Sequence, residues 1–287
     1  MSFSNTFKNI IQHIDTDGDV SQPRDLKVKE SILSNFVINP KQPIADFPQR
    51  NFNWKYLAGE MAWYLKQDRD VDYIGNFSNF WSRITNPDTN EINSNYGSLV
   101  FNKEQFGWVI DSLEQDKNSR QAIMFFNSPK FQFEGNKDFV CTMYANFFIR
   151  HNILHMKVQM RSNDIFYGLT FDAPFFAFLQ QSVYLKLKET YPDLELGMYY
   201  HYADNLHFYE RHFELADQIK AEDIDITKES TFMLKQPFLE YDGKNVTLSN
   251  LAQTFVNEID ASVDDDSITS KQDYKDILDK YFVTNGE

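Results

Sequence analysis

Met160-Arg161-Ser162-Asn163-Asp164-Ile165-Phe166-Tyr167-Gly168-Leu169-Thr170-Phe171-Asp172-Ala173 is a polar stretch caught between two apolar patterns. Upstream, residues 122–126, 139–148 and 153–159 are short apolar runs separated by polar turns such as His151-Asn152, the spacing of successive strands in one sheet. Downstream, residues 171–188 form an apolar run too long for a strand, which predicts a buried helix. An arginine, a serine, an amide and two carboxylates therefore meet where the sheet gives way to a helix. Nineteen residues before Met160 stands Cys141, the single cysteine of the chain.

Working outward, residues 4–14 carry Phe7, Ile10, Ile11 and Ile14 at helical spacing, and residues 15–23 read as a polar loop. Residues 54–66 predict a buried helix around Glu60, and residues 104–113 a shorter one. Residues 206–209 look strand-like, with a short helix over 210–219. Helices are expected at 250–259 and 274–282. After about residue 221 the composition turns acidic, dividing the chain into a domain over 1–220 and an acidic extension over 221–287 packed on it or following it, with no site of its own.

The 287 residues, 42% of them hydrophobic and 27 of them Phe, can fill a sizeable, aromatic core. A net charge of −14 argues against polynucleotide or anionic-membrane partners, both of which need a positive surface. No apolar run reaches the roughly 18 residues of a membrane helix, and no signal peptide opens the chain. One cysteine excludes an intramolecular disulfide and points to a reduced, cytoplasmic setting.

The ordered pieces Asn118-Ser119-Arg120, Cys141, Arg161 to Asp172 and Leu206-His207-Phe208-Tyr209 resemble the thymidylate synthase family, and the likeness runs from about Phe7 to about Leu215. Glu91-Ile92-Asn93-Ser94-Asn95-Tyr96-Gly97 and Met160 to Asp164 look like its phage deoxycytidylate hydroxymethylase branch. The resemblance implies an α+β, three-layer fold around a bent mixed sheet packed by helices. It also implies a symmetric homodimer built on that sheet, and 5,10-methylenetetrahydrofolate as cosubstrate with no metal.

It assigns roles as well. Cys141 is the expected nucleophile toward C6 of the pyrimidine, which makes C5 reactive toward a one-carbon unit; nearby cations should depress its pKa below about 8.5. A carboxylate within an apolar helix needs a partner or a function, and Glu60 is implied to order water and relay protons. Tyr96 is implied to help remove the C5 proton. Arg24, Arg161, Ser162 and Arg120 match phosphate positions, Arg120 reaching across from the partner subunit; guanidinium forks suit phosphate. Asn163 adjoins them on the substrate side. His207 and Tyr209, two apart on a strand, would share the sugar hydroxyl. Asp164 and Gly168 match folate-facing positions, and Trp63 and Trp81 are expected beside the folate. There are departures: Gln121 stands where the family has a second arginine, Thr142 where a histidine follows the cysteine, and Met160 replaces a glutamine. The chain ends Val283-Thr284-Asn285-Gly286-Glu287, unlike the short apolar tail that closes over folate in thymidylate synthase, and an open site would admit water.

Asp172 bears on substrate choice, since thymidylate synthases have asparagine there and the phage hydroxymethylases aspartate. Cytosine offers an amino donor at C4 and an acceptor at N3. A carboxylate accepts from the amino group, and a proton shared with N3 makes the second bond. Against uracil the same carboxylate meets O4 with like polarity. Asp172 could alternatively cap the helix beginning near Ala173. The expectation is hydroxymethylation of dCMP. The alternatives are a methylase, action on CMP or dUMP, and a non-catalytic nucleotide- or RNA-binding relative.

Overall fold

Alternation decides where the sheet goes. In Ile153–Met160 the residues Leu154, Met156, Val158 and Met160 are fully buried while those between them are not, so one face meets the core. Thr142–Arg150 repeats this with Ala145, Phe147 and Ile149. The computed structural model describes residues 3–86, 89–223 and 231–283.

In chain order the elements are α1 (Phe3–Asp17), β1 (Asp19–Ser21), β2 (Val28–Ile38), α2 (Trp54–Lys66), α3 (Val71–Gly75), α4 (Trp81–Ile84), α5 (Tyr96–Val100), α6 (Trp108–Gln115), β3 (Ile123–Phe125), β4 (Thr142–Arg150), β5 (Ile153–Met160), β6 (Asn163–Asp164), α7 (Thr170–Thr190), β7 (Glu195–Tyr209), α8 (Phe213–Ala221), β8 (Met233–Leu234), β9 (Leu239–Tyr241), β10 (Val246–Leu248), α9 (Asn250–Val263), α10 (Lys271–Tyr281) and β11 (Phe282–Val283). The main sheet runs β1-β2-β7-β5-β4-β3, with β6 also on β7. It is mixed: β5 and β6 each run parallel to β7, and the other pairs are antiparallel. Helix α7, buried on nearly every side, covers its inner face. The other face leaves Val37, Met198, Tyr200 and Tyr202 exposed.

Two differences from the sequence expectations matter for the site. Residues 139–141 are not strand, because Arg161 takes the carbonyls of Phe139 and Val140, oxygens a β-ladder would otherwise use. Cys141 thus sits in a loop at the mouth of β4. Asp172 does not cap α7, which begins at Thr170 and holds Asp172 inside its first turn. A cap belongs to Asp164, whose Oδ1 accepts from the Phe166 and Tyr167 amides at 2.8 and 3.2 Å in the turn before α7. The region predicted as loop over 15–23 contains the end of α1 and strand β1, and residues 103–107 form a π-turn ahead of α6.

The acidic extension contributes β8, which pairs with β11, and helices α9 and α10, which pack on α2. Asp225 and residues 284–287, the end of the atypical tail, lie outside the described residues.

Candidate active site

The loop holding Cys141 and the loop leaving β5 are clamped together by Arg161. Its Nε donates to Val140 O at 3.1 Å, its Nη2 to Phe139 O, and Nη2 also lies 3.4 Å from Cys141 Sγ. The guanidinium rests on the Phe139 ring, 4.5 Å from its centre. Despite this cation, burial pushes the thiol up to about 11; Arg161 opposes the shift, and Asp172 reinforces it. Burial opposes the depression expected for Cys141: desolvation of a thiolate outweighs the Arg161 and Arg24 guanidiniums, the first of them already shared with two carbonyls.

Behind the thiol stands a buried polar wall. Thr142 Oγ1 donates to the Tyr96 hydroxyl at 2.9 Å and lies 3.0 Å from Met160 Sδ. The residue that replaces a histidine after the cysteine thus positions Tyr96, whose own ionisation burial suppresses. Glu60, fully enclosed on α2, accepts from the Tyr56 hydroxyl at 2.7 Å, and Tyr56 in turn accepts from Trp81 Nε1 at 3.0 Å. Burial raises Glu60 to about 8, with a contribution from Asp172.

Asn163 and Asp172 form the pair at the strand–helix junction. Asn163 Nδ2 donates to Asp172 Oδ2 at 2.7 Å, and Asn163 Oδ1 is buried without a partner among the described residues. Burial raises Asp172 to about 6, opposed by the Asn163 bond and helped by Asp164. Gly168 lies against this pair: a Cβ there would fall 2.7 Å from Asn163 Nδ2 and 3.1 Å from Asp172 Oδ2. The glycine is needed for that close approach.

A cavity of about 460 Å³ opens beside these groups, lined by Ser21, Arg24, Ser162, Asn205, His207 and Tyr209 among others. His207 and Tyr209 share one face of β7, ring centres 5.3 Å apart. Arg24 has left-handed backbone, as does Asp25 after it. The structure thus gathers Cys141, Arg161, Ser162, Asn163, Asp172, Tyr96 and Glu60 with the Arg24, His207 and Tyr209 wall.

Other sequence-identified residues fall elsewhere. Arg120 is exposed ahead of β3 and does not line the cavity. Trp63, expected beside the folate, is fully buried, stacked on Tyr64 and tilted against Trp81, as core packing alone would place it. Trp81 keeps a little surface, but its indole N–H serves Tyr56. For a folate, Asp164 fits best: Oδ1 is used by the turn, leaving Oδ2 as an acceptor, and burial raises the carboxyl to about 6. Glu30 and Asn205, which line the cavity, and Tyr56, which bonds Glu60, are not identified from sequence. Tyr56 has a signal, since it lies one turn before Glu60 on the same helix face; Glu30, on strand β2, has none in its residue type or spacing.

The thymidylate synthase family profile matches residues 5–254. The deoxycytidylate 5-hydroxymethyltransferase of Enterobacteria phage T4 is 28% identical over 229 residues, covering 76% of this chain and 92% of that protein. The deoxyuridylate hydroxymethyltransferase of Bacillus phage SP01 is also 28% identical over 229 residues, covering 71% of this chain and 56% of its own length. In fold, a thermostable thymidylate synthase A from Bacillus subtilis superposes with a TM-score of 0.65 at 18% identity, over 87% of this chain and 95% of that one. With the match spanning most of its length, the chain belongs to the thymidylate synthase family, folate-dependent enzymes that transfer a one-carbon unit to C5 of pyrimidine nucleotides.

Proposed function

We propose that this enzyme converts dCMP to 5-hydroxymethyl-dCMP. The observation that carries the reading is Asp172, a carboxyl held by Asn163 and raised to about 6 by burial. Such a group holds or releases a proton near neutrality, which suits a proton shared with cytosine N3 while an oxygen accepts from the C4 amino group. The orphaned Asn163 Oδ1 adds an acceptor beside it. Sharing that proton draws electrons from C6 and favours attack by Cys141 Sγ. Tyr96 stands by for the C5 proton. Glu60, raised to about 8 and fixed by Tyr56, holds the water that ends the reaction as the hydroxyl of the product. When bound, 5,10-methylenetetrahydrofolate supplies a carbon at the oxidation level of formaldehyde, with Asp164 to hold its ring.

Arg24 and Ser162 on the cavity wall, with Arg161, would receive the phosphate. Arg120 would complete that site from a second copy whose sheet covers the exposed Val37, Met198, Tyr200 and Tyr202. A uracil reading has one specific support, the equal identity to the Bacillus phage SP01 relative. Incubation with methylenetetrahydrofolate and dCMP or dUMP, read by mass spectrometry, separates them. Gain of CH2O on dCMP alone is expected; gain of CH2 makes the enzyme a methylase, and turnover of dUMP alone overturns the role of Asp172.

A further inference from the structure

Opposite His207 in the β2–β7 ladder stands Glu30, and Asn205 lies two residues before His207 on the same face. All three line the cavity. Asn205 Nδ2 donates to Glu30 Oε2 at 2.8 Å, and Asn205 Oδ1 lies 2.9 Å from His207 Nδ1. We infer that Glu30 and Asn205 are positioning residues that lock His207 into one tautomer and so make it a hydrogen-bond acceptor for the sugar. The direction follows from valence. A carboxylate only accepts, so Glu30 compels the Asn205 amide to turn its NH2 toward it and its oxygen toward His207. An amide oxygen also only accepts, so His207 Nδ1 must carry the hydrogen. Burial keeps the ring neutral, lowering it to about 4, and the lone pair therefore falls on Nε2.

This rests on the nucleotide reading of the cavity and sharpens it. The only free sugar hydroxyl of a 2′-deoxynucleoside 5′-monophosphate is at 3′. An Nε2 lone pair demands that this group donate, so a nucleotide blocked or lacking at 3′ binds about three- to tenfold more weakly. The reverse tautomer would instead offer a donor and tolerate a 3′ acceptor.

The test has two arms. Ring ¹⁵N spectra of the ligand-free, full-length protein, with His207 assigned from its loss in His207→Gln, should show the Nδ1–H tautomer. That arm does not depend on which base the enzyme takes. In the second arm, the affinity ratio between the deoxynucleotide and its 2′,3′-dideoxy analogue is compared in Glu30→Ala, Glu30→Gln and Asn205→Ala, using the cytosine or uracil pair according to which one turns over. One hydrogen bond is worth about three- to tenfold. The ratio should shrink by about that factor in Glu30→Ala and Asn205→Ala, and survive in Glu30→Gln, whose Oε1 still accepts. An Nε2–H tautomer in the wild type, or a ratio unchanged in both alanine variants, overturns the inference.

Discussion

Burial raises the Asp172 and Glu60 carboxyls above the ordinary carboxylate range, Asp172 to about 6 and Glu60 to about 8. Asp172→Asn replaces a proton-sharing acceptor with a fixed amide, which complements uracil rather than cytosine. The expected outcome is loss of dCMP turnover by about 10²-fold or more with gain of dUMP turnover, measured as kcat/KM on both nucleotides. An unchanged preference would move base selection to other residues. Glu60 poses a conflict between stability and activity. Its folded pKa of about 8 lies above the unfolded carboxyl value, so folding favours its protonated form. The unfolded state ionises first as pH rises, and stability is lost progressively between the unfolded pKa and about 8. Glu60→Gln should therefore be as stable as wild type near pH 4 and more stable by about 3 kcal/mol at neutral pH. Urea denaturation at the two pH values checks this, and the same variant should lose most of its activity.

At the scale of elements, the turn from β6 into α7 does the positioning. Asp164 caps it, and Gly168 allows Asn163 and Asp172 to meet across it. Gly168→Ala places a methyl 2.7 Å from the Asn163 amide nitrogen, which must move. Displacement of about an ångström at a reacting group costs up to about 10²-fold in rate. The expected outcome is a fall of that order in kcat with the fold retained by circular dichroism; full activity would show that the Asn163–Asp172 contact is dispensable. Much of this turn was legible from its residues, because Gly, Asp and Asn announce turn chemistry. The cap was not: by residue type Asp172 is as good a candidate as Asp164, and only the backbone shows that α7 begins two residues before Asp172. Strand β7 was seen only at its end, 206–209. Its earlier half, Glu195 to Asn205, carries polar and tyrosine residues on the uncovered face that blur the alternation.

Over the whole molecule, the extension is part of the structure that holds the site. Helices α9 and α10 lie against α2, α9 joined to it by Lys66–Asp260 at 2.8 Å, while Lys271 Nζ on α10 donates to Asn51 O at 2.6 Å in the loop before α2. Phe255 on α9 is fully buried against Phe238 and Tyr281. Phe255→Ala should cost about 3–5 kcal/mol and lower the Tm by roughly 10 °C. Because the ring contacts of Phe255 among the described residues are with Phe238 and Tyr281, KM at low temperature should stay at the wild-type value; a raised KM would show that the extension also shapes the pocket.

Sequence alone determined the family, the order of strands and helices around Arg161 to Asp172, and the presence of Cys141, Glu60, Tyr96 and Asp172 as candidate machinery. These are properties of residue type and spacing, which a chain carries before it folds. Tertiary structure decided what those residues are in chemical terms. Burial raises the Cys141 thiol and the Asp172 carboxyl, Trp63 is core, and Glu30, Asn205 and His207 are joined in one hydrogen-bonded chain. Each depends on how much water is excluded and on partners distant in sequence, and only the packed fold sets either.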